Sequence, residues 1–204
     1  MKLINIINRL GRAIEFLLTG QTDFRVITSD FVKAEIIDNE VQAKMAMQEV
    51  NAYLKKNFSI SLSSPVVLRL GEVKTLDWKA RLAARFKHLG NYTSKQLGEL
   101  LTHEITIVPG LERVKFQSVL CHELVHAFQV ERGLLKHFKG YREGMSRWAE
   151  YHFLCDHHRQ DEAKRLKTFE MIIFGHMLNR ILSYEARSGR QATCRWLAEM
   201  KAEN

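Results

Sequence analysis

Two histidines four residues apart, His122 and His126, constrain this chain more than any other feature. On an α-helix this spacing places both imidazoles on one face, where they can reach the same metal ion. Glu123 follows His122 directly, so its carboxylate is turned by roughly 100° around the helix and lies beside such an ion rather than on it. This His-Glu-x-x-His pattern is typical of a zinc site in which the glutamate acts as general base on a bound water.

The residues around the motif favour a helix. Apolar side chains recur at spacings of three and four from Val114 to Phe128, which predicts one amphipathic helix from Val114 to about Glu131. Gly133 is expected to end that helix.

A catalytic zinc site keeps three protein ligands and one open position, so a third ligand is expected downstream. Glu143 meets this expectation because residues 127 to 142 suffice to finish the helix and turn between Gly133 and Gly140. A second, antiparallel helix is then predicted, with Glu143 in its first turn and His158 near its end. Glu150 lies on the same helix face and is either the alternative ligand or an acceptor that orients a histidine ring.

The sequence also contains candidates for contacts with a substrate. When a metal-bound water attacks a carbonyl group, a tetrahedral oxyanion forms, and a second electrophile beside the metal is expected to stabilise it. The sequence offers five candidates and does not choose among them: Tyr141, Tyr151, His152, His157 and Tyr184. Arg142 or Arg147, near the ligand glutamate, is a candidate for binding a substrate carboxylate.

His122-Glu123-Leu124-Val125-His126 followed by Glu143-Gly144 resembles the gluzincin metallopeptidases. The closer resemblance is to the C-terminal peptidase domain of the plant LIM-domain proteins that limit organ size. Two looser blocks, Ser64 to Leu68 and Glu104 to Leu111, extend it over roughly residues 50 to 160.

The resemblance implies that His122, His126 and Glu143 bind one zinc ion, that Glu123 is the general base, and that peptide bonds are hydrolysed. Arg142 departs from the acidic pair that often precedes the glycine in that family. Nothing in the chain resembles LIM modules or ubiquitin-binding helices, so regulation by ubiquitin is not implied.

The order of patterns predicts an α+β fold, a helix-rich zincin-like (mini-gluzincin) domain with a small sheet beside the motif helix. The strand Glu104 to Val108 is expected to be the rim to which an extended substrate adds its backbone. The other predicted elements are a helix over residues 3–17, helices from Asp30 to Asn57 and from Leu76 to Leu89, a strand from Val66 to Leu70, and one long helix from Leu166 to Tyr184.

Length and composition predict a single domain, because 204 residues with 46% hydrophobic content suffice for one core and are few for two. We divide it into an N-terminal helical segment (1–50), a zincin core (51–160) and C-terminal helices (161–204). Three cysteines without a paired spacing argue against a disulfide framework and favour a reducing compartment, the cytoplasm. The sequence shows neither a signal peptide nor a transmembrane run.

A net charge of +8 favours acidic partners, but the lysines and arginines are spread along the whole chain. A peptide or protein substrate is therefore the expected partner, and nucleic acid is a less favoured one. Three alternatives remain: a DNA-associated SprT-like protease, a repressor-cleaving ImmA-like protease, and a non-catalytic zinc-binding descendant. The third is disfavoured by Glu123, since a purely structural site needs no base.

Overall fold

Short strands and longer helices form largely separate runs along the described chain, as expected for an α+β fold. The computed structural model describes residues 35–72, 89–134, 139–173 and 176–199, all within one compact unit, Glu35–Asn204. In chain order the elements are β1 (Ile36–Ile37), α1 (Glu40–Phe58), β2 (Val66–Leu70), β3 (Gly90–Leu97), β4 (Leu100–Ile107), β5 (Leu111–Glu112), α2 (Arg113–Glu131), α3 (Lys139–Asp156), α4 (Gln160–Ile173), α5 (Met177–Ser188) and α6 (Arg190–Glu199).

A three-stranded sheet lies beside the helix that carries the two histidines. Its strand order is β2-β4-β3, with β4 parallel to β2 and antiparallel to β3. The strand predicted from Glu104 is therefore the central strand, and the prediction that it forms the substrate rim is wrong, because both of its edges are paired. Within the described chain, β3 has an unpaired outer edge.

The hairpin that joins β3 to β4 was not predicted. Gly98 has a φ of +60°, a left-handed conformation that glycine adopts without strain, and it turns the chain between the two strands. Most side chains of β3 are polar and exposed, so the strand lacks the apolar alternation by which strands are usually predicted.

Helix α2 is buried on almost all sides because it packs against α1, α3 and the sheet. Every residue from Phe116 to Val125 is buried. The glutamate that ends the helix, Glu131, accepts hydrogen bonds from the backbone N–H groups of Ser63 and Ser64, just before β2. The motif helix is thereby attached to the sheet at its C-terminal end.

Helix α1 begins later than predicted, at Glu40 rather than near Asp30. Asn39 caps it, since its side-chain oxygen accepts a hydrogen bond from the backbone N–H of Gln42 at 3.0 Å. The preceding residues Ile36–Ile37 form β1, which pairs with β5.

Helix α3 begins earlier than predicted, so Gly140 lies inside it and Glu143 is its fifth residue. The reason is Tyr141, which is fully buried and donates a hydrogen bond from its hydroxyl to the Leu197 carbonyl at 2.7 Å. Packing of this side chain holds the first turn of α3 in helical form.

The long helix predicted from Leu166 to Tyr184 is two helices, α4 and α5. His176 has a left-handed φ of 73° and precedes α5. The break brings Met177 against Gly144, where a Cβ atom would lie only 2.4 Å from Met177 Cγ. Apolar spacing continues through both helices, so periodicity alone does not show the break.

The helices predicted over residues 3–17 and from Leu76 to Leu89 lie outside the described residues, except for Leu89 itself. The single-domain prediction therefore remains a prediction. No described helix combines the length and the apolar run that a membrane span requires.

Candidate metal centre

The two motif histidines lie one turn apart on α2, with their Nε2 atoms close together. His122 Nε2 and His126 Nε2 are 3.1 Å apart, and the ring planes are nearly perpendicular. Both side chains are mostly buried, with 10% and 16% of their surface exposed. The spacing predicted from the sequence therefore brings two imidazole nitrogens to one point.

Glu143 brings a carboxylate to the same point. Its Oε2 lies 3.5 Å from His122 Nε2, and its Oε1 lies 3.7 Å from His126 Nε2. Helix α3 carries it there because α3 packs along α2. Close contact between Gly144 and Met177 holds the neighbouring position on α3.

These three residues fit a metal ion. One nitrogen from each histidine and one oxygen of Glu143 lie within 4.8 Å of one another. Ligand atoms about 2.1 Å from a tetrahedral ion lie about 3.4 Å apart. The two Nε2 atoms are 3.1 Å apart, and the nearest Glu143 oxygen to each of them, Oε2 for His122 and Oε1 for His126, lies at 3.5 and 3.7 Å, which is close to that spacing. The His122, His126 and Glu143 cluster could therefore hold a metal ion.

The hydrogen bonds of His126 leave its Nε2 available to such an ion. Its Nδ1 lies 3.0 Å from Gln129 Oε1, which can only accept a hydrogen bond, and 3.3 Å from Ser146 Oγ. The amide nitrogen of Gln129 in turn donates to the Arg142 carbonyl at 2.8 Å. The ring is thus held with its proton on Nδ1 and a lone pair on Nε2, the arrangement a metal ligand needs.

Glu150 lies beside the Nδ1 atom of His122, as Gln129 lies beside the Nδ1 atom of His126. Its Oε2 lies 3.3 Å from His122 Nδ1, but the direction from the ring is not that of a hydrogen bond, and Nδ1 is buried without another partner. The same oxygen accepts a hydrogen bond from Arg147 at 2.7 Å. Glu150 therefore acts on His122 through charge, on the side of the ring opposite the ligand atoms.

The charges of the cluster are strongly coupled. Burial lowers the pKa of His122 and Arg147 pushes it in the same direction, but Glu143 and Glu150 outweigh both and raise it to about 9. Burial and the neighbouring charge of His122 lower the pKa of His126 to about 4.

Both carboxyl groups stay ionised despite burial. Burial raises the pKa of Glu143, but the interaction with His122, 3.5 Å away, and the charges around it hold the pKa at about 2. Burial also raises the pKa of Glu150. The charge of Arg147, and after it the interaction with His122, lowers that pKa to about 2. Histidine lone pairs and ionised glutamate oxygens that lie together in a buried site need a positive charge among them. A proton on His122 or a metal ion would supply that charge.

Glu123 lies beside the cluster, on the next position around α2. It is 8% exposed, and burial is the first cause of the rise in its pKa, which the charge of His122 opposes. Gly90, the first residue of β3, approaches it closely, since a Cβ atom there would lie 2.8 Å from Glu123 Oε1 and 2.6 Å from Val119 Cγ1. β3, whose outer edge is unpaired within the described chain, therefore begins beside Glu123, the predicted general base.

The predicted oxyanion partners take part in other contacts. Tyr141 donates to the Leu197 carbonyl, and Tyr184 stacks on Trp196. His152 lies 2.7 Å from Glu185 and accepts from Arg190, with Tyr151 edge-on to its ring, and His157 stacks on Phe153. None of these contacts reaches the three ligands, so the oxyanion partner remains a prediction.

Three residues near the centre were not predicted. Gln129 lies three positions after His126 on the same helix face, a spacing that could have indicated its contact. Ser146 and Gly90 come from α3 and β3, and no local pattern connects either of them to α2. Arg147, one of the two arginines expected to bind a substrate carboxylate, forms an ion pair with Glu150, and that expectation remains a prediction for Arg142 and Arg147 alike.

Comparison with protein families, with characterised proteins and with solved structures found no significant match to this chain. The resemblance to gluzincins therefore depends on the residues quoted above, and any function depends on the geometry of the site.

Proposed function

We propose that this protein is a zinc-dependent peptidase in which Glu123 is the general base. The observation that supports this most is the convergence of His122, His126 and Glu143 with Glu123 beside them. Two histidines and one glutamate are a known ligand set of catalytic zinc sites, which leave one position open for water.

The protonation states support a reactive site. A bound zinc ion supplies a Lewis acid and a water of strongly lowered pKa. Glu123 is a buried acidic side chain next to His122 in the sequence and outside the ligand set, and its raised pKa suits a group that first accepts and later returns a proton. Its carboxylate takes the proton of the attacking water and donates it to the nitrogen of the leaving amine.

The sheet has a free edge to which an extended peptide substrate can bind. β3 runs from Gly90, beside Glu123, to Leu97, and its outer edge is unpaired within the described chain. An extended peptide that hydrogen-bonds to this edge would lead directly to the base, since strand addition holds a backbone without regard to its side chains. β3 thus takes the role that the sequence analysis gave to the strand from Glu104.

Metal content and hydrolysis, measured on the same preparations, test the proposal. Wild-type protein should contain about one equivalent of zinc and cleave an unfolded protein substrate. A chelator should abolish cleavage, and added zinc should restore it. His122→Ala and His126→Ala should lose both metal and activity.

His158→Asn is a matched control, because it removes an exposed imidazole that lies outside the cluster and is not an oxyanion candidate, and asparagine tolerates the left-handed backbone at this position, where φ is 59°. It should keep the wild-type metal content and activity. Stoichiometric zinc in both His122→Ala and His126→Ala would contradict the site assignment. Zinc binding by wild type without cleavage of any unfolded substrate would instead favour a non-catalytic metal protein.

A further inference from the structure

An open groove of about 400 Å³ lies between α5 and α6, outside the metal centre. Its residues on α5 are Asn179, Arg180, Ser183, Tyr184 and Arg187, and Trp196 faces them from α6. His176 lies at one end of the groove. None of these residues belongs to the His122, His126 and Glu143 cluster. We call this surface the α5–α6 groove.

The α5–α6 groove carries unneutralised positive charge. Arg180 and Arg187 are both exposed, and neither forms an ion pair within the described parts of the chain. Arg190, on the next helix, differs because it is paired with Glu185 and Asp156. No described residue that lines the groove is acidic. A ligand with negative charge is therefore favoured.

Between the two arginines lies an aromatic pair. The rings of Tyr184 and Trp196 are stacked, with centroids 4.4 Å apart and planes at 21°. Trp196 also packs against the hydrophobic core, so the pair has a fixed base. Both rings are half-buried and line the groove, which suits the face of another planar ring.

The order of these groups along α5 is regular. Arg180, Tyr184 and Arg187 occupy positions i, i+4 and i+7, which lie on one helix face. Seven residues of helix span about 10.5 Å, so the two guanidinium groups begin two turns apart with the aromatic pair between them. This arrangement suits a chain with repeated negative charges and planar groups between them.

We propose that the α5–α6 groove binds single-stranded nucleic acid, with phosphates on Arg180 and Arg187 and a base on the Tyr184–Trp196 pair. Single strands expose base faces that a duplex keeps stacked, and proteins bind them through basic grooves with aromatic platforms. An acidic polypeptide would match the arginines but would leave the aromatic pair without a planar partner.

The charge of the groove is tested by a salt titration of binding to a short labelled oligothymidylate, followed by fluorescence anisotropy. Each phosphate contact with a single strand contributes about 0.7 to the slope of log affinity against log salt. Arg180→Gln/Arg187→Gln should weaken binding and reduce the magnitude of that slope by about 1.4.

A double variant elsewhere serves as the matched control. Arg165→Gln/Arg195→Gln removes the same total charge from exposed positions that do not line the groove. It should bind with nearly the wild-type affinity and slope. Equal losses in the two double variants would show that only diffuse charge attracts the strand, and the proposal would be wrong.

The aromatic pair is tested separately. Tyr184→Leu should weaken binding at least about fivefold, as expected when one stacked base is lost, while Tyr184→Phe should stay close to wild type. Stacking should also quench the fluorescence of Trp196, and Trp196→Phe should remove that signal. Circular dichroism of each variant identifies any that is unfolded.

Competition distinguishes nucleic acid from an acidic protein. Poly-glutamate of equal charge should displace the labelled strand far less well than unlabelled oligothymidylate. Equal displacement, or equal affinity of Tyr184→Leu and wild type, would overturn the proposal and favour an acidic polypeptide partner. None of these measurements depends on metal or on peptide hydrolysis.

Discussion

At the scale of single residues, each of the two candidate histidine ligands has polar neighbours on the side away from the site. Gln129 and Ser146 hold the His126 ring, and Glu150, paired with Arg147, lies behind His122. Such neighbours set the tautomer of a ligand histidine and strengthen its binding to metal. The roles of Glu143 and Glu150 therefore differ in kind, although both carboxylates lie on one helix.

Removal of each carboxylate should affect metal binding differently. Glu150→Gln should lower zinc affinity about 10- to 100-fold, as expected for a group behind a ligand. Glu143→Gln should lower it more, because it removes a negatively charged carboxylate whose two oxygens lie near the two histidine nitrogens. Competition titration against a chromogenic chelator measures both affinities.

The order of these two losses is decisive. If Glu150→Gln proves the more harmful substitution, Glu150 is the ligand and Glu143 only supports it. Thermal melting of both metal-free variants provides the control, since Arg147 loses its partner only in Glu150→Gln.

Gly90→Ala should reduce both stability and hydrolysis. The added methyl would lie 2.6 Å from Val119 Cγ1 and 2.8 Å from Glu123 Oε1, so β3 or the side chain of the base must move. Overpacking of this kind costs about 1–3 kcal/mol. Chemical denaturation and peptide cleavage measure the two effects.

Gly71→Ala is the matched control for Gly90→Ala. A methyl there would make only an ordinary contact, 3.6 Å from Thr106 Cγ2. Wild-type activity in Gly90→Ala would show that Glu123 need not keep its observed position.

At the scale of elements, local patterns predicted some boundaries well and others poorly. β2 was predicted at its exact bounds, and α2 within one residue at its start, because both are strongly apolar. β3 was missed because its strand character comes from pairing with β4 rather than from its own side chains. The break at His176 was missed because it is set by packing on Gly144, which apolar spacing does not encode.

Glu131, which attaches α2 to the loop before β2, should make stability depend on pH. Burial raises its pKa, but hydrogen bonds from Ser63, Ser64 and His103 hold it at about 2. Because the folded pKa is below the unfolded value of about 4.3, the stabilisation is complete above that value. It is lost as the pH falls from there towards 2.

Glu131→Gln should therefore be less stable than wild type at neutral pH by up to about 3 kcal/mol. The difference should shrink as the pH falls below about 4.3. Urea unfolding across this range measures it. A difference that stays constant down to pH 2 would show that the charge of Glu131 does not stabilise the link to β2.

At the scale of the whole molecule, the candidate site combines one local motif with contacts from distant segments. The spacing of His122, Glu123 and His126 is local, so the sequence predicts their shared position directly. Glu143 could be predicted because a second helix had to return to α2. Gly90 and Ser146 could not, since only the packing of β3 and α3 brings them to α2.

The central claim is that Glu123 accepts the proton of the attacking water. Glu123→Gln keeps nearly the same size but cannot accept that proton, so zinc content and melting temperature should stay at wild-type values. Hydrolysis of an unfolded protein substrate should fall by at least about 10²- to 10⁴-fold. Hydrolysis at the wild-type rate by the zinc-loaded Glu123→Gln variant would contradict the proposed mechanism.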